Sequence, residues 1–391
     1  MKRKLLNFNW LQFAAMLALI AVGTLAIRSA GCARAESVFH GMWINNLTTA
    51  MFGLAIYFAL SFIDYRKLIS LTAWPWYLTA LVMLVAVLIF GSTVYGGKRW
   101  LWFFQPSEIS KLAIIVMLAE VFGRRHNERD AAVDWRSGFR GFLAAAVLVG
   151  FPAALILAEP DLGTTLALVP AALVMIFVAN VWRKALVAML FAGGVAALAI
   201  LAAVHEAEKP GVSSERRERI LKFVPLKDHQ VRRVKVFLFP ESDLMGAGYN
   251  LRQAKISIGS GGFSGKGIGK GENNHLKYLP QAISMNDFIF CVWAEETGFV
   301  GSLVLLALFG VLLLPGCYIA FVAGDERGRL LALGVSTLVF AHVYINIAMS
   351  VGLVPITGLP LPFISSGRTF LITVMAGLGL VQSVSIHREE K

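Results

Sequence analysis

Asp287 stands where a long polar stretch returns to apolar sequence, between Asn286 and the run Phe288-Ile289-Phe290. Apolar neighbours desolvate a carboxylate and raise its proton affinity. A carboxyl group tuned toward neutrality suits a general base. Glu108 and Lys111 lie three residues apart, so on a helix they share a face and can pair. That pair is either a structural ion pair or part of a polar wall that meets an anionic substrate. Glu159 and Asp161 flank Pro160 in a tight turn. Two carboxylates so close could hold a cation, and Asp161 could equally cap the helix that follows it. Lys98 and Arg99 precede Trp100, a group that either anchors a membrane interface or meets a specific anion.

Two irregular stretches join these. Residues 259–271 are rich in glycine and carry Lys266 and Lys270. They do not form a P-loop, because Ser260 stands where the first Gly is required and Gly267 follows Lys266 where Ser or Thr is required. Their amides and lysines could still cradle a diphosphate, or the run could be a flexible spacer. Residues 355–369 contain Pro355, Pro360 and Pro362, with Ser365 and Arg368 near the end. Such a stretch cannot be a regular helix. At membrane depth it must be buried in protein or line a cavity, so a re-entrant cavity wall is expected.

The elements that position these groups follow from composition. Of 391 residues, 57% are hydrophobic and 15% charged, with a mean hydropathy of +0.68. A soluble domain carries about 25% charge. Apolar runs fall at 10–29, 47–63, 71–91, 108–123, 142–158, 162–181, 185–204, 298–321, 330–350 and 364–384. Backbone polar groups in lipid must be satisfied within their own segment, so each run should be a helix. The expectation is an all-α polytopic membrane protein of about ten transmembrane helices. It forms one unit over 1–391, with 205–287 as a large loop between helices 7 and 8. The basic start MKRKLLNFNW resembles the head of a signal peptide, but no clean cleavage site follows, so it reads as a retained first helix. Cys32, Cys291 and Cys317 are far apart and form no metal knuckle or disulfide framework.

With the N-terminus inside, the short inner loops hold sixteen Lys and Arg and the short outer segments five. Lys2, Arg3, Lys4, Arg125, Arg129, Arg136 and Lys391 are among the sixteen; Arg34 is among the five. The asymmetry puts both termini in the cytoplasm and the 205–287 loop outside. It also accounts for the net charge of +12 with no nucleic-acid partner. Residues 215–240 mix basic and apolar side chains and could lie along a membrane surface or form a solvated loop. All the groups singled out above then fall on the outer face. An acid, several cations and irregular backbone at a water–lipid boundary suit a substrate with an anionic head and a lipid tail. No His-rich cluster suggests zinc, no Ser-His-Asp set is evident, and no nucleotide site shows on the inner face.

The motifs GKRWLWFFQPSEISKLA, EPDLGTTL, IGSGGFSGKGIGKG, the stretch from Leu279 to Gly301 and PITGLPLPFISSG, in that order, resemble the SEDS family (shape, elongation, division and sporulation). The resemblance covers nearly the whole chain. It implies ten transmembrane helices and a peptidoglycan glycosyltransferase that polymerises lipid II into glycan strands, for cell elongation and rod shape. A lipid II flippase and the division-specific paralogue are the alternatives. It implies that Asp287, in the DFIF motif, is the catalytic residue and deprotonates the acceptor sugar hydroxyl. Arg99, Lys111 and Lys266 would offset the charge of the diphosphate leaving group. Glu108, Asp161, Ser365 and Arg368 join them as candidate substrate-binding residues. A divalent cation, Mg or Mn, is implied, with no organic cofactor. The implied partners are lipid II and undecaprenyl-diphosphate-linked glycan, a class B penicillin-binding protein as transpeptidase, elongation-machinery proteins and membrane lipids. The implied location is the bacterial inner membrane. Glu159 stands where the family usually has Gln, and Ser366, Arg368 and Thr369 stand where it has Tyr, Gly and Ser.

Overall fold

The computed structural model describes residues 6–32, 41–94, 97–102, 104–124, 138–159, 161–209, 212–243, 245–272, 278 and 281–388. Lys2, Arg3, Lys4, Arg34, Arg125, Arg129, Arg136, Pro160, Leu279 and Lys391 lie outside the described residues.

Each of the ten apolar runs contains a helix. They are α1 (Trp10–Cys32), α2 (Met42–Phe62), α3 (Tyr65–Phe90), α4 (Pro106–Gly123), α5 (Phe139–Ala158), α6 (Leu162–Val178) and α7 (Arg183–Ala207). After the large loop come α12 (Ile289–Val322), α13 (Glu326–Val351) and α14 (Arg368–Ile386). Among the described residues, eight of these are long and apolar enough to cross a membrane. The other two, α4 and α6, are the polar-bearing and the short one, and each lies against α13. A helix wrapped by other helices is shielded from lipid, so it can carry Glu108, Lys111 and Glu120. The chain is thus an all-α, multi-pass membrane protein. A short antiparallel hairpin, β1 (Ser92–Val94) and β2 (Gly97–Trp100), bridges α3 and α4.

Local chemistry sets the helix ends. Pro106 opens α4, where its missing N–H costs nothing. Asp64, Asp161 and Asp325 cap α3, α6 and α13 by accepting from the backbone N–H of Arg66, Thr164 and Gly328. Gly352 ends α13 in the left-handed conformation, at φ +81°.

The large loop is largely helical: α8 (Ser214–Lys222), α9 (Asp228–Leu238), α10 (Ala247–Ser260) and α11 (Gln281–Met285). Helix α10 packs on α12 and α13, and α9 packs on α7 and α10. The main departure from expectation lies in α12. It begins at Ile289 rather than 298, and it breaks at Gly298, at φ +65°, ψ −161°. The glycine-rich run repairs the break. Lys266 and Gly267 donate their amides to the carbonyls of Glu295 and Glu296. Phe299 and Val300 donate to the carbonyls of Gly262 and Phe263. The sequence suggested that these amides face a diphosphate; the amides of Lys266 and Gly267 instead satisfy a broken transmembrane helix. A Cβ on Gly265 would stand 2.2 Å from the Glu296 carbonyl oxygen, so only glycine allows this approach.

At the end of the bundle opposite the large loop, Glu120 pairs with Arg124 (3.0 Å) and Arg327 (3.2 Å). Nearby, Asp325 accepts from Tyr65 and pairs with Arg66 at 3.3 Å.

Candidate active site

At the loop end four elements converge on two carboxylates and two guanidinium groups. Asp287 lies in the turn between α11 and α12. Arg233 comes from α9, Arg99 from β2, and Asp161 from the start of α6. The four sense one another's charge. Arg99 approaches Asp161 at 3.9 Å. Arg233 donates to the Thr357 carbonyl at 3.2 Å, which ties the large loop to the proline-rich wall.

The Asp287 turn is braced from three sides. The Asn346 amide on α13 donates to the main-chain carbonyls of Asp287 (2.9 Å) and Leu359 (2.7 Å). Ser365 donates to the carbonyl of Asn286 at 2.6 Å, and Ser366 to its side chain at 2.6 Å. Phe288, Ile289 and Phe290 are buried, while the Asp287 side chain is half-buried. A Cβ at Gly358 would stand 3.5 Å from the Asp287 Oδ2, so the carboxylate faces the irregular wall. Burial pushes this carboxyl up to about 6, against the pull of Arg233 and Arg99, with Asp161 adding to the rise. The same burial lowers the proton affinity of Arg233.

Residues 355–367 contain no helix and are largely buried, as expected for a stretch that must hide its backbone in protein. Phe363 takes φ +66°, and a Cβ on Gly23 of α1 would meet its carbonyl oxygen at 2.0 Å. The wall is therefore clamped between α1 and α13.

Asp161 both caps α6 and collects donors. Its oxygens accept from Gln105 (2.9 Å), Ser107 (3.3 Å) and the Thr164 hydroxyl (2.8 Å). Beside it, Glu159 is fully buried, and neither of its carboxyl oxygens has a hydrogen-bond partner among the described residues. Burial pushes the Glu159 carboxyl up to about 8; Asp161 adds to the rise and Arg99 opposes it. Deeper, Lys111 lies 2.7 Å from Glu108, and both are buried. Glu108 in turn senses the charge of Asp161.

The structure thus gathers Asp287, Asp161 and Arg99, with Glu108 and Lys111 beneath them. Ser365 positions the Asp287 turn through the backbone. Lys266 bonds Glu295 (2.8 Å) and Glu272 (3.2 Å), and the Glu295 bond raises its proton affinity. Arg368 is exposed at the start of α14 and has no partner among the described residues. Arg233 does not stand out in the sequence. Its only local signal is its place in a basic, apolar-mixed stretch.

Among the described residues, no three His, Cys, Asp or Glu side chains are grouped to hold a metal ion. Asp161 and Asp287 together offer a pair of carboxylates within electrostatic reach of each other. One turn of α9 from Arg233, at Gln230, opens a groove of about 540 Å³. It is lined by Ala154, Leu157 and Ala158 of α5 and by Val224 and Leu226.

Known proteins share this architecture. The chain is 38% identical over 318 residues to the peptidoglycan glycosyltransferase MrdB of Escherichia coli (strain K12), covering 80% of this chain and 77% of that one. A chain of a peptidoglycan synthase complex, described as coordinating polymerization and crosslinking, superposes with a TM-score of 0.73 at 28% identity, over 97% of each chain. The rod shape determining protein RodA of Thermus thermophilus superposes with a TM-score of 0.66 at 26% identity, over 98% of each chain. Residues 9–390 match the model of the FtsW, RodA and SpoVE cell cycle proteins, and the chain belongs to that family.

Proposed function

We propose that this chain is a peptidoglycan glycosyltransferase that polymerises lipid II into glycan strands at the outer face of the bacterial inner membrane, for cell elongation and rod shape. The observation that carries the reading is the cluster of Asp287, Asp161, Arg99 and Arg233 on an irregular, buried wall. Glycosyl transfer needs a base for the acceptor hydroxyl and positive charge for the departing diphosphate. Asp287, near 6, accepts the hydroxyl proton at neutral pH. The hydroxyl oxygen forms its bond to the anomeric carbon as the bond from that carbon to the diphosphate oxygen breaks. The prenyl diphosphate leaves with the electron pair, its charge offset by Arg99 and Arg233. Lys266 and Arg368 are further cations for the substrate head group, Lys111 adds positive charge from beneath the cluster, and Glu108, Asp161 and Ser365 hold the surrounding geometry. The apolar groove beside α5 suits the first units of a prenyl tail.

Asp161 and Asp287 would be the ligands of a divalent cation, Mg or Mn, because hard cations often bind through one or two carboxylates plus phosphates. It would add positive charge at the leaving group. A class B penicillin-binding protein is the proposed partner, since polymerised strands still need crosslinking; the similar chain in the synthase complex supports this. Elongation-machinery proteins complete the proposed assembly. The Lys and Arg asymmetry supports cytoplasmic termini.

The test is polymerisation of purified lipid II, read on a gel, with and without partner and chelator. The wild-type chain should make glycan strands and D287A should make none while remaining folded. Strands from D287A would remove Asp287 from catalysis.

A further inference from the structure

The chemistry assigned to Asp287 makes no use of His342, a fully buried histidine in the middle of α13. Its Nε2 lies 2.8 Å from Lys111 Nζ, which itself lies 2.7 Å from Glu108 Oε2. An ammonium group has three donors and no acceptor. His342 Nε2 must therefore accept, which leaves the ring proton on Nδ1, an atom that senses the Pro360 backbone without a hydrogen bond to it. A doubly protonated ring would place a second positive charge against Lys111. The Phe370 ring closes the group, 5.4 Å from Lys111 Nζ and 4.5 Å from the His342 ring. Lys111 is thus surrounded by a carboxylate, an imidazole and an aromatic face.

One helical turn further along α13 stands Asn346, the residue that braces the Asp287 turn and Leu359. Residues four apart share a helix face. One face of α13 therefore holds the Lys111–Glu108 pair at one step and the Asp287 turn at the next. Both steps reach the same wall, through Pro360 and Leu359. Glu108 lies within electrostatic reach of Asp161, so the charge of the buried pair is felt in the four-residue cluster.

We infer that His342 is a positioning residue for glycosyl transfer: a neutral acceptor that fixes the Lys111 ammonium beneath the cluster, on the helix face that one turn later braces the Asp287 turn. The inference rests on the polymerase reading. Its physical basis is that a buried ammonium stripped of one acceptor has no water to replace it and must reorient. Reorientation would carry the charge of Lys111 away from the cluster while leaving the outer substrate contacts intact. The rate should then suffer more than substrate binding.

The experiment uses the full-length chain with lipid II and compares wild type, H342L, H342F, H342Q, K111M and K111M/H342L. A hydrogen bond to a charged group is worth about a tenfold to hundredfold effect. H342L and H342F should lose about that much in kcat with KM within about twofold. H342Q, whose amide oxygen can accept, should stay within about threefold of wild type. Adding H342L to K111M should change nothing further, because no ammonium is left to hold. Wild-type kcat in H342L or H342F would overturn the inference. So would an equal loss from H342L in the K111M background, which would mark His342 as a packing residue only. Failure of both H342L and H342F to accumulate while K111M accumulates would likewise reduce His342 to a packing role. A wild-type chain that makes no glycan would sink the polymerase reading itself, a result distinct from all of these.

Discussion

Replacing Asp287 by Asn should abolish polymerisation and make the protein harder to unfold. Burial raises this carboxyl from 3.8 to about 6. At 1.36 kcal/mol per pH unit, holding the charge in the folded chain at neutral pH costs about 3 kcal/mol. The sign follows from proton binding: between pH 3.8 and 6 the folded chain binds the proton and the unfolded chain releases it. Stability is therefore fully present below 3.8, falls as pH rises through 6, and levels off above that. Asn carries no charge and shows no such slope. The Asn346 bond goes to the main-chain carbonyl of residue 287, so D287N keeps it. Thermal unfolding in detergent, read as an apparent midpoint because such unfolding is often irreversible, should place D287N above wild type at pH 7.5. The gap should narrow toward pH 5. A D287N midpoint equal to or below wild type at pH 7.5 would refute the claim that a charged carboxylate is held there at a cost.

Three other outcomes follow from the same geometry. R233M removes a cation that lowers the Asp287 proton affinity, so the acid limb of the kcat/KM profile should move above its wild-type position near pH 6, with kcat down about a hundredfold; an unmoved limb would dissociate Arg233 from Asp287. Glu159 is raised from 4.5 to about 8, so wild-type stability should fall as pH climbs from 4.5 to 8 and level off above that, while E159Q should match wild type near pH 4.5 and outlast it at pH 9 in thermal unfolding. In G298A, a Cβ would stand 2.3 Å from the Gly265 amide nitrogen in a backbone conformation almost reserved for glycine. The conformation alone costs about 1–3 kcal/mol, and membrane yield should fall sharply.

The helices are legible because hydrocarbon leaves the backbone few alternatives, and each apolar run holds one. The start of α12 is not. Glu295 and Glu296 precede the apolar run that starts at 298, yet both are buried in protein rather than lipid. Ser29 on α1 donates to Glu296, a contact that no local pattern encodes. The glycine run stands out in the sequence for a plausible but different reason. Its glycines serve left-handed turns at Gly262, Gly265, Gly267 and Gly269 and a close approach to α12, and long-range pairing of that kind leaves no trace in spacing. Asp287, Asp161 and Arg99 can be named because each breaks an apolar or orientational rule where it stands. Arg233 breaks none. It is one of many cations in a long polar loop, and only the Thr357 carbonyl, 124 residues away, distinguishes it.

For the base proposed above, the balance around Asp287 explains its place among cations. Two guanidinium groups alone would stabilise the carboxylate and leave a weak base. Burial works the other way, and so does the charge of Asp161. The opposed effects leave the group near 6, ionised at neutral pH but close to accepting a proton. Arrival of a diphosphate shifts the balance further. Its negative charge engages Arg99 and Arg233, weakens their hold on Asp287 and raises the proton affinity of the carboxylate. In the proposed reaction the base therefore strengthens when a donor lipid is in place, and the same two arginines offset the charge that leaves.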